Sequence, residues 1–368
     1  MEGGFRSIMH LSYRDYSSVP EELRAEGCEA IDEIYLKANL IRSIPDWFFP
    51  KMTHLRFLCL AGNMIENVPN QIGHLECLES LDLSENDLHR LPPSLGLLNK
   101  LTKLLLNGNF LHRLPPEIGH LNNLQVLDIR KNRLTYVPIE LSQCSSLEDL
   151  LMDDNLGLVS IPTRLFNLPA LCYVSAERCN LFQLPFNINT STLRFVLLFS
   201  NNHCLTHCPL ALERFALPDY DALKDKMKRI RNPSCYRRIN CSPVPYCLNF
   251  PSELIKMKSR HALTIRPYTL LEAALRACAG FGVPVELLMK FNLPHCLKLR
   301  LTYGPVACCT NASCGREIFT EGVLMLLKRR EYARNFVLSA LFCSKLCADG
   351  WFQYNCSTYE ELPWNIPV

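Results

Sequence analysis

The chain has 368 residues, 48% apolar and 20% charged, with a net charge of +3. This length and composition suit two folded domains with cores of their own and argue against a disordered chain. The small net charge gives no electrostatic support to nucleic-acid binding, and no stretch approaches the roughly 18 apolar residues of a membrane span.

The N-terminus, Met1-Glu2-Gly3-Gly4-Phe5-Arg6, has no basic segment ahead of an apolar run, so no secretory signal is expected. Nineteen cysteines, an odd number, then suggest free thiols in a reducing, cytoplasmic setting, with a few bound to metal. Residues 1–30 form an N-terminal cap, in which Leu11, Tyr16, Val19 and Pro20 fit the second half of a degraded repeat.

From Ile31 the pattern L-x2-L-x-L-x2-N-x-L-x2-L-P recurs, with first positions at Ile31, Leu55, Leu78, Leu101, Leu124, Leu147, Leu171 and Leu193. The spacings of 22–24 residues identify a leucine-rich repeat. Residues 31–209 are therefore expected to be a solenoid of about eight repeats, because one repeat cannot bury its own apolar edge. In each, residues such as Leu81 and Leu83 alternate with polar neighbours as a short strand with one buried face. Asn39, Asn63, Asn86, Asn109, Asn132, Asn155 and Asn201 are expected to form a ladder whose amides satisfy backbone groups of the adjacent coil. Cys179 takes that place in the seventh repeat and is read as structural.

The remaining strand positions point to the concave face. Tyr35, Phe57, Leu151, Asp153, Tyr173, Phe195, Leu197 and Phe199 are the candidate partner-binding residues. The last repeats gather aromatics beside Asp149, Asp153 and Asp154, as at a protein-binding hot spot. The alternative is that the tail folds back and covers this end.

Residues 210–368 are expected to form a mainly α, cysteine-rich domain, making the whole chain α/β. The basic run Lys224–Arg231 reads as a solvated helix face. Cys235, Cys241 and Cys247 fit no defensible metal spacing. At Thr269 a helix begins, with Glu272 placed for a capping box. Leu270, Ala274, Ala277 and Cys278 share one narrow face that a partner helix could approach; an ordinary core helix is the alternative. Further on, Cys309-x4-Cys314 and Cys343-x3-Cys347 supply four thiolates suited to a tetrahedral structural zinc ion. Cys308 could replace Cys309, and four buried free thiols are the competing reading.

The segment from Thr269 resembles the elongin-binding BC-box, [Ser/Thr/Pro]-Leu-x3-Cys-x3-aliphatic, with Thr269 and Leu270 matching and Ala274 and Cys278 at the other two positions. Leu293-Pro294-x2-Leu297-x3-Leu301 resembles the cullin-selecting half of a suppressor-of-cytokine-signalling box, without its second proline. These elements, followed by the two cysteine pairs with Gly315 and Phe319, occur in this order in the leucine-rich repeat-containing protein 58/28 group. The resemblance covers residues 265–347. It implies a substrate receptor that docks elongin B/C and a cullin through Thr269, Leu270, Ala274, Cys278, Leu293, Pro294, Leu297 and Leu301.

Two other readings stand beside this one. A leucine-rich-repeat scaffold with no ligase role would use the same concave face. An enzyme would need a catalytic constellation, and Cys347-Ala348-Asp349 matches a bacterial ligase triplet by three letters only. No phosphate-binding glycine loop, H-E-x-x-H or G-x-S-x-G is present, so the chain is expected not to be an enzyme.

Overall fold

The computed structural model describes residues 7–186, 196–202, 204–205, 208–215, 236–241, 247–251, 257–260, 270–280, 300–301, 305, 307–319, 321–330 and 337–365. Backbone alone is described at 213–215, 236–241, 247–251, 258, 270, 278–280 and 365. The chain divides into two compact units. The first comprises Met1–Leu158, Asn167–Cys179 and Thr192–Asn201; the second comprises Val159–Phe166, Asn180–Ser191 and Asn202–Val368. The convex segments of the last repeats therefore group with the tail. Among the described residues no helix is long and apolar enough to cross a membrane.

The first unit is built on one parallel nine-stranded sheet whose strands follow in sequence order. They are β1 (Ile8–His10), β2 (Glu33–Tyr35), β3 (Phe57–Cys59), β4 (Ser80–Asp82), β5 (Lys103–Leu105), β6 (Val126–Asp128), β7 (Asp149–Leu151), β8 (Tyr173–Ser175) and β9 (Val196–Leu198). The central residue of each strand from β2 onward is buried, as the alternating pattern requires. Strand β1 completes the cap: it pairs with β2, so the cap carries a whole repeat-like strand and not only its second half.

On the convex side the chain returns through short helical turns. These are α1 (Phe48–Lys51) and then 3-10 turns such as Pro93–Leu97, Pro116–His120 and Ile139–Gln143. Neighbouring turns approach so closely that a Cβ built on Gly96 or Gly119 would lie 2.4 Å from the next repeat's Glu117 or Glu140 carbonyl oxygen. Glycine is there for close approach, at a φ that any residue could adopt.

The asparagine ladder is present. Asn86 donates to the carbonyls of Leu83 (3.1 Å) and Leu60 (2.9 Å) and accepts the Ile65 N–H (3.0 Å). The residue before each ladder position has a positive φ: Ala38, Gly62, Glu85, Gly108, Lys131, Asp154, Arg178 and Asn201. This corrects the last repeat. Asn201 is the left-handed residue; Asn202, buried, holds the ladder and accepts the Leu181 N–H at 3.1 Å. Leu197 accordingly pairs with Val174, the inward residue of β8, and the strand register is one residue later than the Leu193 start implies.

The second unit, expected to be mainly α, is mostly β among the described residues. Strands β10 (Cys208–Pro209), β13 (Lys258–Ser259), β16 (Val323–Arg329) and β17 (Leu338–Phe342) form one sheet in the order β10-β17-β16-β13, with β18 (Tyr359–Leu362) also pairing β16. A second sheet orders β12 (Cys247–Pro251), β11 (Tyr236–Cys241) and β19 (Trp364–Asn365). The physical reason lies in β16 and β17: their unbroken apolar runs are buried on both faces, a pattern that periodicity alone does not distinguish from a helix. Two helices of eleven residues accompany the sheets, α2 (Leu270–Gly280) and α3 (Lys345–Asn355).

Candidate functional site

On the concave face the outward side chains of successive strands stand in rows. At its N-terminal end the rings of His10 and Tyr35 stack with centroids 4.8 Å apart, and Tyr35 meets Phe57 at the same distance. The Tyr35 hydroxyl donates to Glu33 (3.0 Å), and partial burial, with that carboxylate, pushes the phenol pKa up. Further along, Leu105, Leu151 and Tyr173 are half-buried on the same face. Tyr35, Phe57, Leu151 and Tyr173 therefore lie where the alternation placed them. His10 was missed because the cap strand carries too little of the repeat to be seen.

Three candidates lie elsewhere. Leu197 and Phe199, 3% and 7% exposed, face the interior, a direct result of the shifted register. Asp153 is also buried: its carboxylate accepts the Ser175 hydroxyl and the Glu177 N–H, the latter at 2.7 Å, and so does not form a free acidic rim. The other acids are largely matched. Arg130 forks onto Asp128 (2.9 and 2.6 Å), and Arg178 onto Asp154 (2.6 and 2.9 Å). The Arg178 guanidinium holds the Asp154 carboxyl below its usual range. Phe195 lies outside the described residues.

In the second unit the two cysteine pairs converge. Strands β14 (Ala307–Cys308) and β15 (Glu317–Ile318) form a short antiparallel knuckle, and Cys309 and Cys314 lie in its turn. Gly315, at φ +60°, supplies the left-handed residue of that turn. Cys343 follows β17, and Cys347 lies in the first turn of α3, where the Ser344 side chain caps the helix by accepting the Cys347 N–H at 3.3 Å. Thr310 holds the halves together. Its N–H and hydroxyl both donate to the Leu341 carbonyl at 2.8 Å, and the hydroxyl accepts the Leu341 N–H at 3.1 Å.

The four sulfurs of Cys309, Cys314, Cys343 and Cys347 all lie within 4.8 Å of one another and can hold a metal ion. Cys343 Sγ is 3.5 Å from Cys314 Sγ and 3.6 Å from Cys347 Sγ, too long for disulfides. A metal–sulfur bond of about 2.3 Å would put the sulfurs of a tetrahedral site about 3.8 Å apart. The Cys343 N–H donates to Cys309 Sγ at 3.4 Å. With no metal charge present, the Cys343 thiol bonds to Cys309, and this bond and burial push its pKa up to about 12 while that of Cys309 falls. Cys309, not Cys308, is the member of the set; Cys308 belongs to β14 and pairs with Glu317.

Helix α2 forms as expected from Leu270. Its buried side carries Glu272 and Leu275. Ala273 and Ala277, on the opposite side, are exposed, and Ala274 is half-buried. Glu272 serves a role that the capping-box reading missed: its carboxylate accepts the N–H groups of Phe319 (3.1 Å) and Glu321 (3.2 Å) and pairs with Arg276 (2.8 Å). Leu301 is corrected too. It is 4% exposed, and its carbonyl accepts from Arg164 Nη2, so it is an interior residue and not a cullin contact. Thr269, Leu293, Pro294, Leu297, Cys235 and the run 224–231 lie outside the described residues, as do the side chains of Leu270, Cys278, Cys241 and Cys247.

Two family descriptions match the chain: a leucine-rich repeat region over residues 47–113 and a leucine rich repeat over residues 99–156. Several solved structures are similar. One is a leucine-rich-repeat protein of Leptospira interrogans, at 21% identity and TM-score 0.35, covering 54% of this chain and 67% of that one. Another is the leucine-rich-repeat ectodomain of the Arabidopsis thaliana receptor kinase GASSHO1/SCHENGEN3, at 28% identity and TM-score 0.43, covering 52% of this chain and 23% of that one. A third is the leucine-rich repeat domain of the type III effector XopL, at 20% identity and TM-score 0.41, covering 54% and 77%. The repeats of this chain are leucine-rich repeats, and their nine parallel strands make a solenoid.

Proposed function

We propose that this protein is a non-catalytic adaptor that grips a protein partner on its concave sheet. The observation that carries the reading is the outward row Tyr35, Phe57, Leu105, Leu151 and Tyr173. These are large side chains standing where a sheet with one solvated face would otherwise be polar. The surrounding acids, matched by Arg130 and Arg178, supply a polar rim of low net charge.

The second half of the proposal concerns the tail. Its resemblance to the leucine-rich repeat-containing protein 58/28 group makes α2 the docking helix for elongin B/C, with Leu293, Pro294 and Leu297 on the cullin side. The exposed alanine side of α2 supports this, since small residues let a partner come close. A zinc ion on Cys309, Cys314, Cys343 and Cys347 would supply a structural cross-link, with four sulfur ligands leaving no open position for substrate. Such a centre needs a reducing compartment, in keeping with a cytoplasmic protein. The adaptor would act by proximity, placing a bound partner near a recruited ubiquitin-charged enzyme.

Affinity capture from cell extract tests the concave half. Leu151→Glu combined with Tyr173→Glu should lose the proteins that the wild type retains. An unchanged set of captured proteins would place the binding surface elsewhere.

A further inference from the structure

Glu272 joins the proposed docking helix to the four-cysteine centre. This side chain is fully buried, at 0% exposure. Its Oε1 accepts the Phe319 N–H and Arg276 Nε, and its Oε2 accepts the Glu321 N–H. Arg276 Nη2 returns to the Glu321 carbonyl at 3.2 Å. Phe319 directly follows β15, the return strand of the knuckle whose turn holds Cys314. The carboxylate of α2 is thus bound to backbone whose position the knuckle sets.

We propose that the metal centre holds α2 in place through Glu272, so that loss of the ion releases the helix. The proposal rests on the zinc reading above. The knuckle has two residue pairs, Ala307–Ile318 and Cys308–Glu317, and a hairpin so short is marginal by itself. A four-thiolate ion fixes its turn to β17 and α3. Without the ion the N–H groups of Phe319 and Glu321 lose their fixed place. A buried carboxylate deprived of donors is costly, and opening to water is the cheapest relief. An eleven-residue helix has little stability once detached from its packing.

Hydrogen exchange on the full-length chain tests this, read over α2 and, as an internal control, over β4–β6. Elemental analysis should find zinc in the purified protein. Stripping it with a chelator under reducing conditions should speed exchange in α2 by about tenfold or more, with β4–β6 unchanged. Glu272→Gln should keep its zinc and still show the faster α2 exchange. Its amide turns a donor toward a backbone N–H and abolishes the pairing with Arg276. Zinc removed with α2 exchange unchanged, or Glu272→Gln with wild-type protection, would overturn the coupling and leave the zinc reading standing. Purified protein without zinc, all four thiols reacting freely, would overturn both.

Discussion

Asn109 shows what one residue contributes to the solenoid. It donates to the Leu83 and Leu106 carbonyls (2.9 Å each) and accepts the Leu88 N–H (3.0 Å), all buried. Asn109→Ala strands those groups and should cost about 3 kcal/mol in urea unfolding. Cys179 occupies the same place without an acceptor oxygen. The Leu156–Gly157 insertion explains why this suffices: the Leu158 N–H, which a ladder oxygen would otherwise take, bonds to the Asn155 carbonyl at 3.0 Å. Cys179→Ala should therefore cost clearly less than Asn109→Ala in the same assay. Burial pushes the Cys179 thiol up to about 11, which keeps it inert. At this scale the ladder was legible from spacing. The exception, Asn201-Asn202, was misread because two adjacent asparagines satisfy the pattern equally and only the positive φ at Asn201 separates them. The cysteine set was legible too, and its chemistry sets a direction with pH. Thiolate ligands compete with protons, so zinc should be released on acidification and retained as pH rises. Competition with a chromophoric chelator across a pH series checks this; pH-independent release would contradict thiolate ligation.

Among the elements, the convex turns are held at a spacing that glycine permits. Gly119→Ala would drive a Cβ to 2.4 Å from the Glu140 carbonyl oxygen and 2.9 Å from Gln143 Oε1. Separating two stacked repeats should cost about 2 kcal/mol, read as a lower urea midpoint with an unchanged slope. The strands of the solenoid were legible because alternation with a fixed period leaves one solution. Those of the tail were not. Val323–Arg329 and Leu338–Phe342 bury both faces and carry no alternation, while the pairings of β10 with β17 and β13 with β16 join distant segments that no local pattern announces. Helix α2 was visible from its start signal, but its polarity was not. The buried Glu272 reads from sequence as a cap, and only the fold directs it to Phe319 and Glu321.

For the whole molecule, the account assigns two tasks to two units: a concave sheet that grips a protein, and a cysteine-stapled unit that presents α2. The first task was legible from the repeat alone, since every leucine-rich solenoid has a concave row, although register placed Leu197 and Phe199 on the wrong side. The second came from the order of motifs in the tail, and burial of Leu301 trims its cullin half. Co-expression with elongins B and C, followed by size-exclusion chromatography, tests the pairing of tasks most directly. The account predicts one peak holding all three chains, lost in Leu270→Asp and in Ala277→Arg, while each variant still binds its concave-face partner. Separate elution of the wild-type chain from elongins B and C would contradict the adaptor and leave a leucine-rich-repeat scaffold.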